Sequence, residues 1–215
     1  TGCVSGLEAL VRWQHPEHGL ITPDRFIALA EEAGLIDAIT LAVLNDALPW
    51  FARWSADYAK LGELTLSINI SARSLGRPEL IDAIVGLCAG SKVCPDKLIF
   101  ELTETAAMDE PVAALTLLTR LRVHGFLLSL DDFGTGYSSM LQLVRLPFSE
   151  LKIDRSFVAS AATSQESRAV IRCITDLGRS LGMKTTAEGV EDSAAYAYLK
   201  EVGCDLAQGY LFSRP

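Results

Sequence analysis

The chain has 215 residues, 49% of them hydrophobic, and carries 27 acidic against 19 basic side chains, a formal charge of −8. That length buries a substantial core, as one large domain or two small ones, and the apolar content excludes a disordered chain. The acidic balance argues against a duplex-nucleic-acid partner, and no apolar run reaches the ~18 to 20 residues of a membrane helix.

Taken in order, apolar runs alternate with helical patterns, and most runs end on a polar residue. Glu8 stands near the start, a helix is expected from Leu35 to about Tyr58 with Ile36, Ile39, Val43 and Leu44 inward, and Pro49 is expected to kink or split it. Asn69 ends the run 65–68, a helix follows from Glu79 to about Ala89, and Glu101 ends Leu98-Ile99-Phe100. Asp109 before Pro111 opens a further helix, with Leu115, Leu118 and Leu121 on one face and Gly125 as its stop. Asp131 and Asp132 end the run 126–130, and Lys152 follows Glu150-Leu151. A capping-box pattern from Thr163 to Glu166 then opens a helix carrying Val170, Ile174, Leu177 and Leu181, closed by Gly182. Glu188 ends the run 183–187, a helix spans Asp192 to Val202, and Gln208 follows Cys204-Asp205-Leu206-Ala207.

Strands apolar on both faces and separated by helices predict an α/β fold with a parallel sheet. An open sheet gathers its ligand at one switch point, whereas a (β/α) barrel brings every strand end to one mouth. Polar groups ending six successive runs favour the barrel, with about seven strands counted against the usual eight. The chain starts at Thr1-Gly2 without Met and stops at Pro215 with no evident closing helix, which reads as an excised fragment. The five cysteines (Cys3, Cys88, Cys94, Cys173 and Cys204) form no CxxC pair and read as reduced, mostly buried thiols of a cytosolic protein.

The chemistry is expected at the strand ends. Asp131 and Asp132 are neighbours, so both face one site only where the strand ends, and Gly134 and Gly136 are assigned the turn that allows it. Adjacent carboxylates repel unless a cation lies between them. Capping of a following helix is the plain alternative for such acids. Glu8, Asn69, Glu101 and Glu188 add hard oxygen ligands of the kind Mg²⁺ or Mn²⁺ prefers. The histidines, His15, His18 and His124, are too few and misplaced for zinc. Two ions bridged by a shared Asp would suit in-line attack on a phosphate ester. Lys152 is expected near the acids, either in an ordinary salt bridge or holding an attacking water. Glu191 and Gln208 complete the rim, and the planar fork of Arg12 suits a phosphate oxygen.

These residues resemble the EAL domain, the phosphodiesterase family that linearises cyclic di-GMP. The ordered set is Glu8-Ala9-Leu10-Val11-Arg12-Trp13, Asn69-Ile70-Ser71, Glu101-Leu102-Thr103-Glu104, the run from Asp131-Asp132-Phe133-Gly134 to Tyr137-Ser138-Ser139, Lys152-Ile153-Asp154, Ala187-Glu188-Gly189-Val190-Glu191 and Gln208-Gly209-Tyr210. The resemblance implies a TIM-type barrel with one antiparallel strand. It also implies that an opening strand and helix before Thr1 and a closing helix after Pro215 are missing from a single domain over residues 1–215.

By the same resemblance two Mg²⁺ or Mn²⁺ ions are used and Ca²⁺ inhibits. Glu8, Asn69, Glu101 and Asp131 would hold one ion, Asp131 and Asp132 the other, with Glu188 close to both. Lys152 would orient or deprotonate the nucleophilic water, helped by Glu191 and Gln208. Arg12 and the backbone near Leu10 would receive the phosphate and guanine side, and Glu104 would support the loop from Phe133 to Ser139. The implied product is linear 5′-pGpG. The implied setting is a cytoplasmic domain, a homodimer, fused to sensory or diguanylate-cyclase-like domains in a parent protein that can itself be membrane-anchored.

Two rivals stand beside this reading. A non-catalytic cyclic di-GMP receptor would bind the nucleotide and form no linear product, and intact Glu8, Asp131, Asp132, Lys152 and Glu191 argue against it. An enolase-type lyase would act on a sugar acid, and the adjacent Asp pair fits its three-ligand metal poorly.

Overall fold

Short runs rich in β-branched and aliphatic residues form the strands, and the amphipathic stretches between them form the helices. The computed structural model describes residues 2–57, 64–136 and 140–214. In chain order the strands are β1 (Gly6–Ala9), β2 (Trp13–His15), β3 (Gly19–Ile21), β4 (Thr65–Asn69), β5 (Leu98–Thr103), β6 (Leu127–Phe133), β7 (Glu150–Ile153), β8 (Lys184–Ala187) and β9 (Leu206–Ala207). The helices are α1 (Ile27–Glu32), α2 (Ile36–Asp57), α3 (Pro78–Ser91), α4 (Glu104–Asp109), α5 (Pro111–Val123), α6 (Met140–Arg145), α7 (Arg155–Ser160), α8 (Gln165–Leu181) and α9 (Ser193–Val202).

The chain divides into two units, residues 1–101 with 112–127, and residues 102–111 with 128–215. In the first, β1 pairs with β4 and β4 with β5, all parallel, and β2 and β3 make a short antiparallel hairpin. In the second, β6, β7, β8 and β9 pair in succession, again parallel. The antiparallel strand that the resemblance implies is not among these ladders; among the described residues antiparallel pairing is found in the β2–β3 hairpin.

Each unit buries its strands under helices. In the first, Ile68 and Phe100 lie with Leu44, Phe51 and Ile84 at 0 or 1% exposure, and Phe100 meets Phe126 edge-on at 5.2 Å. In the second, Leu130, Leu151, Ile153 and Ala187 are fully buried with Ile171 of α8. Each such Leu, Ile or Phe side chain contributes about 1.5–3 kcal/mol on burial. The helix α8 lies so close to β8 that a Cβ on Gly178 would stand 2.5 Å from Thr185 Cγ2, so only glycine fits there.

Several expectations are corrected. The helix α2 runs unbroken through the exposed Pro49, because Leu44 and Leu48 before it and Phe51 after it hold both halves to the core. Its buried face is Ile36, Thr40, Leu44, Leu48 and Phe51, while Ile39 and Val43 are half-buried; Tyr58 lies outside the described residues. In α5, Leu117 takes the inward position and Leu115 is 41% exposed. The cap of α8 is Ser164 rather than Thr163. Its hydroxyl accepts from Ser167 N at 3.1 Å and donates to Glu166 Oε2 at 2.9 Å. The buried stripe of α8 is Ile171, Ile174, Thr175 and Gly178. Cys3, Cys94 and Cys173 are exposed and Cys204 is half-buried, so only Cys88 fits the expectation of a buried thiol; burial pushes it up to about 11.

Candidate metal centre at the strand ends

The ladder of β6 with β7 shifts register between Leu130 and Phe133. Within that bulge Asp132 adopts φ 56°, the left-handed region that L-residues seldom occupy, and Asp131 Oδ1 accepts from Asp132 N at 3.0 Å. The extra residue breaks the two-sided alternation of the strand. It answers how adjacent acids serve one site: the bulge turns the chain before Gly134 is reached.

Carboxylate oxygens of Asp131, Asp132 and Glu188 lie within 4.8 Å of one another. Lys152, whose side chain is 2% exposed, sets Nζ 2.6 Å from Glu188 Oε1 and 3.3 Å from Asp131 Oδ1. The carboxyl of Asp132 is pushed up to about 6, first by burial, then by the negative charges of Asp131 and Asp154 and a hydrogen bond with Asp154, with Lys152 pulling the other way. One ammonium thus faces more negative charge than it balances. A hard divalent cation fits this donor set, since it offers oxygen ligands and relieves the repulsion.

Neighbouring segments fix the group. Glu188 N donates to Ile153 O at 3.1 Å, and Gln208 N to Ala187 O at 2.8 Å. A Cβ on Gly209 would stand 2.3 Å from both N and O of Val190, so the close crossing behind the exposed Glu191 and Gln208 admits no side chain. Glu104, 2% exposed, accepts from Gly134 N at 2.8 Å and Gly136 N at 3.2 Å through Oε2. Tyr137 to Ser139 lie outside the described residues.

The other expected ligands belong to the first unit. Asn69 Nδ2 donates to Glu8 Oε1 at 2.9 Å, so the amide nitrogen is turned to Glu8 and Oδ1 is the atom a cation would take. Glu101 stands in register with Asn69 and is 2% exposed. Beyond β1, Leu10 is exposed and Arg12 half-buried, its Nη1 donating to Val11 O at 2.8 Å. His15 is committed to its own turn, Nδ1 accepting from Glu17 N and His18 N. Sequence reasoning gave no role to Asp154. It caps α7 through Ser156 N at 3.0 Å and acts on Asp132, and its place two residues after Lys152, on the same side of an extended strand, was the available signal.

The sequence matches the EAL domain family over residues 1–215. Over its whole length it is 42% identical to the bifunctional diguanylate cyclase/cyclic di-GMP phosphodiesterase MucR of Pseudomonas aeruginosa, spanning 31% of that protein. It is 37% identical to the cyclic di-GMP phosphodiesterase RocR of the same organism, spanning 54% of it. Among solved structures, the MucR phosphodiesterase in complex with c-di-GMP superposes with a TM-score of 0.91 at 42% identity, covering 98% of this chain and 84% of that one. The EAL enzyme Bd1971, bound to cAMP and cyclic di-GMP, gives 0.90 at 33% identity, covering 98% and 57%. The fold is therefore the TIM-barrel-like α/β fold of EAL domains.

Proposed function

Because the chain belongs to the EAL domain family, we propose that it is a phosphodiesterase domain that hydrolyses cyclic di-GMP to linear 5′-pGpG in bacterial second-messenger signalling. The observation that carries this reading is the grouping of Asp131, Asp132 and Glu188 around the buried ammonium of Lys152. In this reading Asp131, Asp132 and Glu188 of the second unit would hold Mg²⁺ or Mn²⁺, and Glu8, Asn69 and Glu101 of the first unit would be further oxygen ligands. Bound cations supply an acidified water and offset charge on the phosphoryl oxygens.

The chain's own groups do the rest. Lys152 directs its ammonium at the attacking water and keeps it in line with the leaving 3′ oxygen. Glu191 and Gln208 hydrogen-bond to that water and fix its orientation. Arg12 takes a phosphate oxygen in its fork, and the backbone near Leu10 receives the guanine side. Glu104 holds the loop that follows Asp132 by its Gly134 and Gly136 amides.

The chain spans 31% and 54% of the two curated relatives, which supports a parent carrying fused sensory or diguanylate-cyclase-like domains. Exposed Met140, Leu141 and Val144 on α6 support a homodimer. Among the described residues no helix is long and apolar enough to cross a membrane.

The test is product analysis by chromatography after incubation with cyclic di-GMP. Linear pGpG is expected with Mg²⁺ or Mn²⁺, and none with Ca²⁺ or a chelator. Nucleotide binding without product at saturating Mn²⁺ would replace the enzyme by a receptor.

A further inference from the structure

Directly behind the three reacting groups of the second unit lies a second polar row. Ser129, Glu150 and Thr186 each stand two residues before Asp131, Lys152 and Glu188, and Glu150 and Lys152, both within β7, share one face of the strand. All three are buried, at 0, 7 and 6% exposure. The registers tie the row together, Ser129 lying opposite Glu150 and Thr186 opposite Lys152. The Thr186 hydroxyl donates to Glu150 Oε1, a bond from β8 to β7 made one step behind the Lys152–Glu188 ion pair.

Such a row costs stability. The inward layers of barrels of this kind are mostly bulky branched aliphatics, and a buried carboxyl or hydroxyl gives up its hydration. The hydrogen bond between Glu150 and Thr186 recovers part of that loss, and replacing both by apolar groups of similar shape would remove it altogether. None of the roles assigned to the strand-end residues uses either side chain. What the pair does is local: it fixes two neighbouring strands side to side, about 6.6 Å along each strand behind the groups that must meet.

We propose that Glu150 and Thr186 are positioning residues, whose mutual hydrogen bond locks β7 against β8 and sets Lys152 and Glu188 at their working separation. The proposal rests on the phosphodiesterase reading for its kinetic consequence, while its effect on cation binding through Glu188 is independent of turnover. Outer partners that orient a ligand are commonly worth about 10- to 100-fold in metal affinity or activity.

The experiment compares the chain with T186V, T186S, E150A, E150Q and the double variant E150A/T186V. It reads kcat and KM for cyclic di-GMP, Mn²⁺ affinity by electron paramagnetic resonance, and the melting temperature. T186V and E150A are expected to lower kcat and Mn²⁺ affinity about 10-fold with KM within about twofold. T186S keeps the hydroxyl and E150Q keeps an acceptor oxygen, so both are expected to stay within about threefold of the parent. The double variant should be no worse than the worse single, because the two groups act as one. Lowered melting temperature with unchanged kcat and Mn²⁺ affinity would overturn the proposal, as would additive losses or a T186S as impaired as T186V. If the parent binds Mn²⁺ but forms no product, the phosphodiesterase reading fails and Mn²⁺ affinity alone decides the positioning claim. A parent that neither cleaves nor binds Mn²⁺ overturns both.

Discussion

Lys152 Nζ lies 2.6 Å from Glu188 Oε1, although neither residue faces the other in the ladder; Lys152 is paired with Thr186, and Glu188 extends past the end of β8. The ammonium therefore reaches forward along the strand direction, toward the ends where Asp131 and Asp132 also lie.

Removing that ammonium leaves acids facing one another. Lys152→Ala is expected to destabilise the cation-free protein by about 3 kcal/mol, the cost of breaking a buried pair by deleting one partner. Urea denaturation measures it, and saturating Mn²⁺ should restore part of the loss while turnover stays absent.

Asp132 gives a pH dependence of definite sign. Its carboxyl is raised from 3.8 to about 6 in the folded protein, so between those values the folded chain holds a proton that the unfolded chain has released. Its contribution to stability is therefore fully present below the unfolded value and is lost as pH rises through the folded one. Thermal scans of the cation-free protein should show stability relative to Asp132→Asn falling across that window. The Mn²⁺-induced rise in melting temperature should grow over the same window, since protons and cations compete for one carboxylate.

Glu8→Ala and Asp131→Asn each remove a proposed ligand. Both are expected to lower kcat/KM for cyclic di-GMP more than about 100-fold and to weaken Mn²⁺ binding, with the far-ultraviolet circular dichroism spectrum unchanged. Near-parental cleavage by either variant would refute the ligand assignment.

Glu104→Ala deprives the amides of Gly134 and Gly136 of their acceptor. Leaving part-buried donors unsatisfied costs about 1–3 kcal/mol each. Urea denaturation should show a loss of at least about 1 kcal/mol, and hydrogen exchange at the two glycine amides should speed up.

Much of this was legible in the sequence. A polar residue closing an apolar run marks the end of a buried strand, and Asn69 and Glu188 are placed where that rule puts them, at the end of β4 and just past β8, whereas Glu101 lies inside β5, two residues before its end. The bulge was not legible, because a register shift depends on the partner strand, and nothing within Leu127–Phe133 alone marks one. Helix faces were displaced by a residue or two in α5 and α8, where the supporting elements, and not periodicity alone, select among neighbouring apolar positions. The short α4, six residues long, carries too little pattern to announce itself. Glu150 and Thr186 read as ordinary strand positions, since only the folded ladder brings one to the other.

The positive φ of Asp132 has an evolutionary corollary. A backbone held in the left-handed region relaxes when glycine replaces the side chain. An inactivating Asp132→Gly change thus runs downhill for the backbone, and descendants that lost their chemistry by that route would keep their architecture.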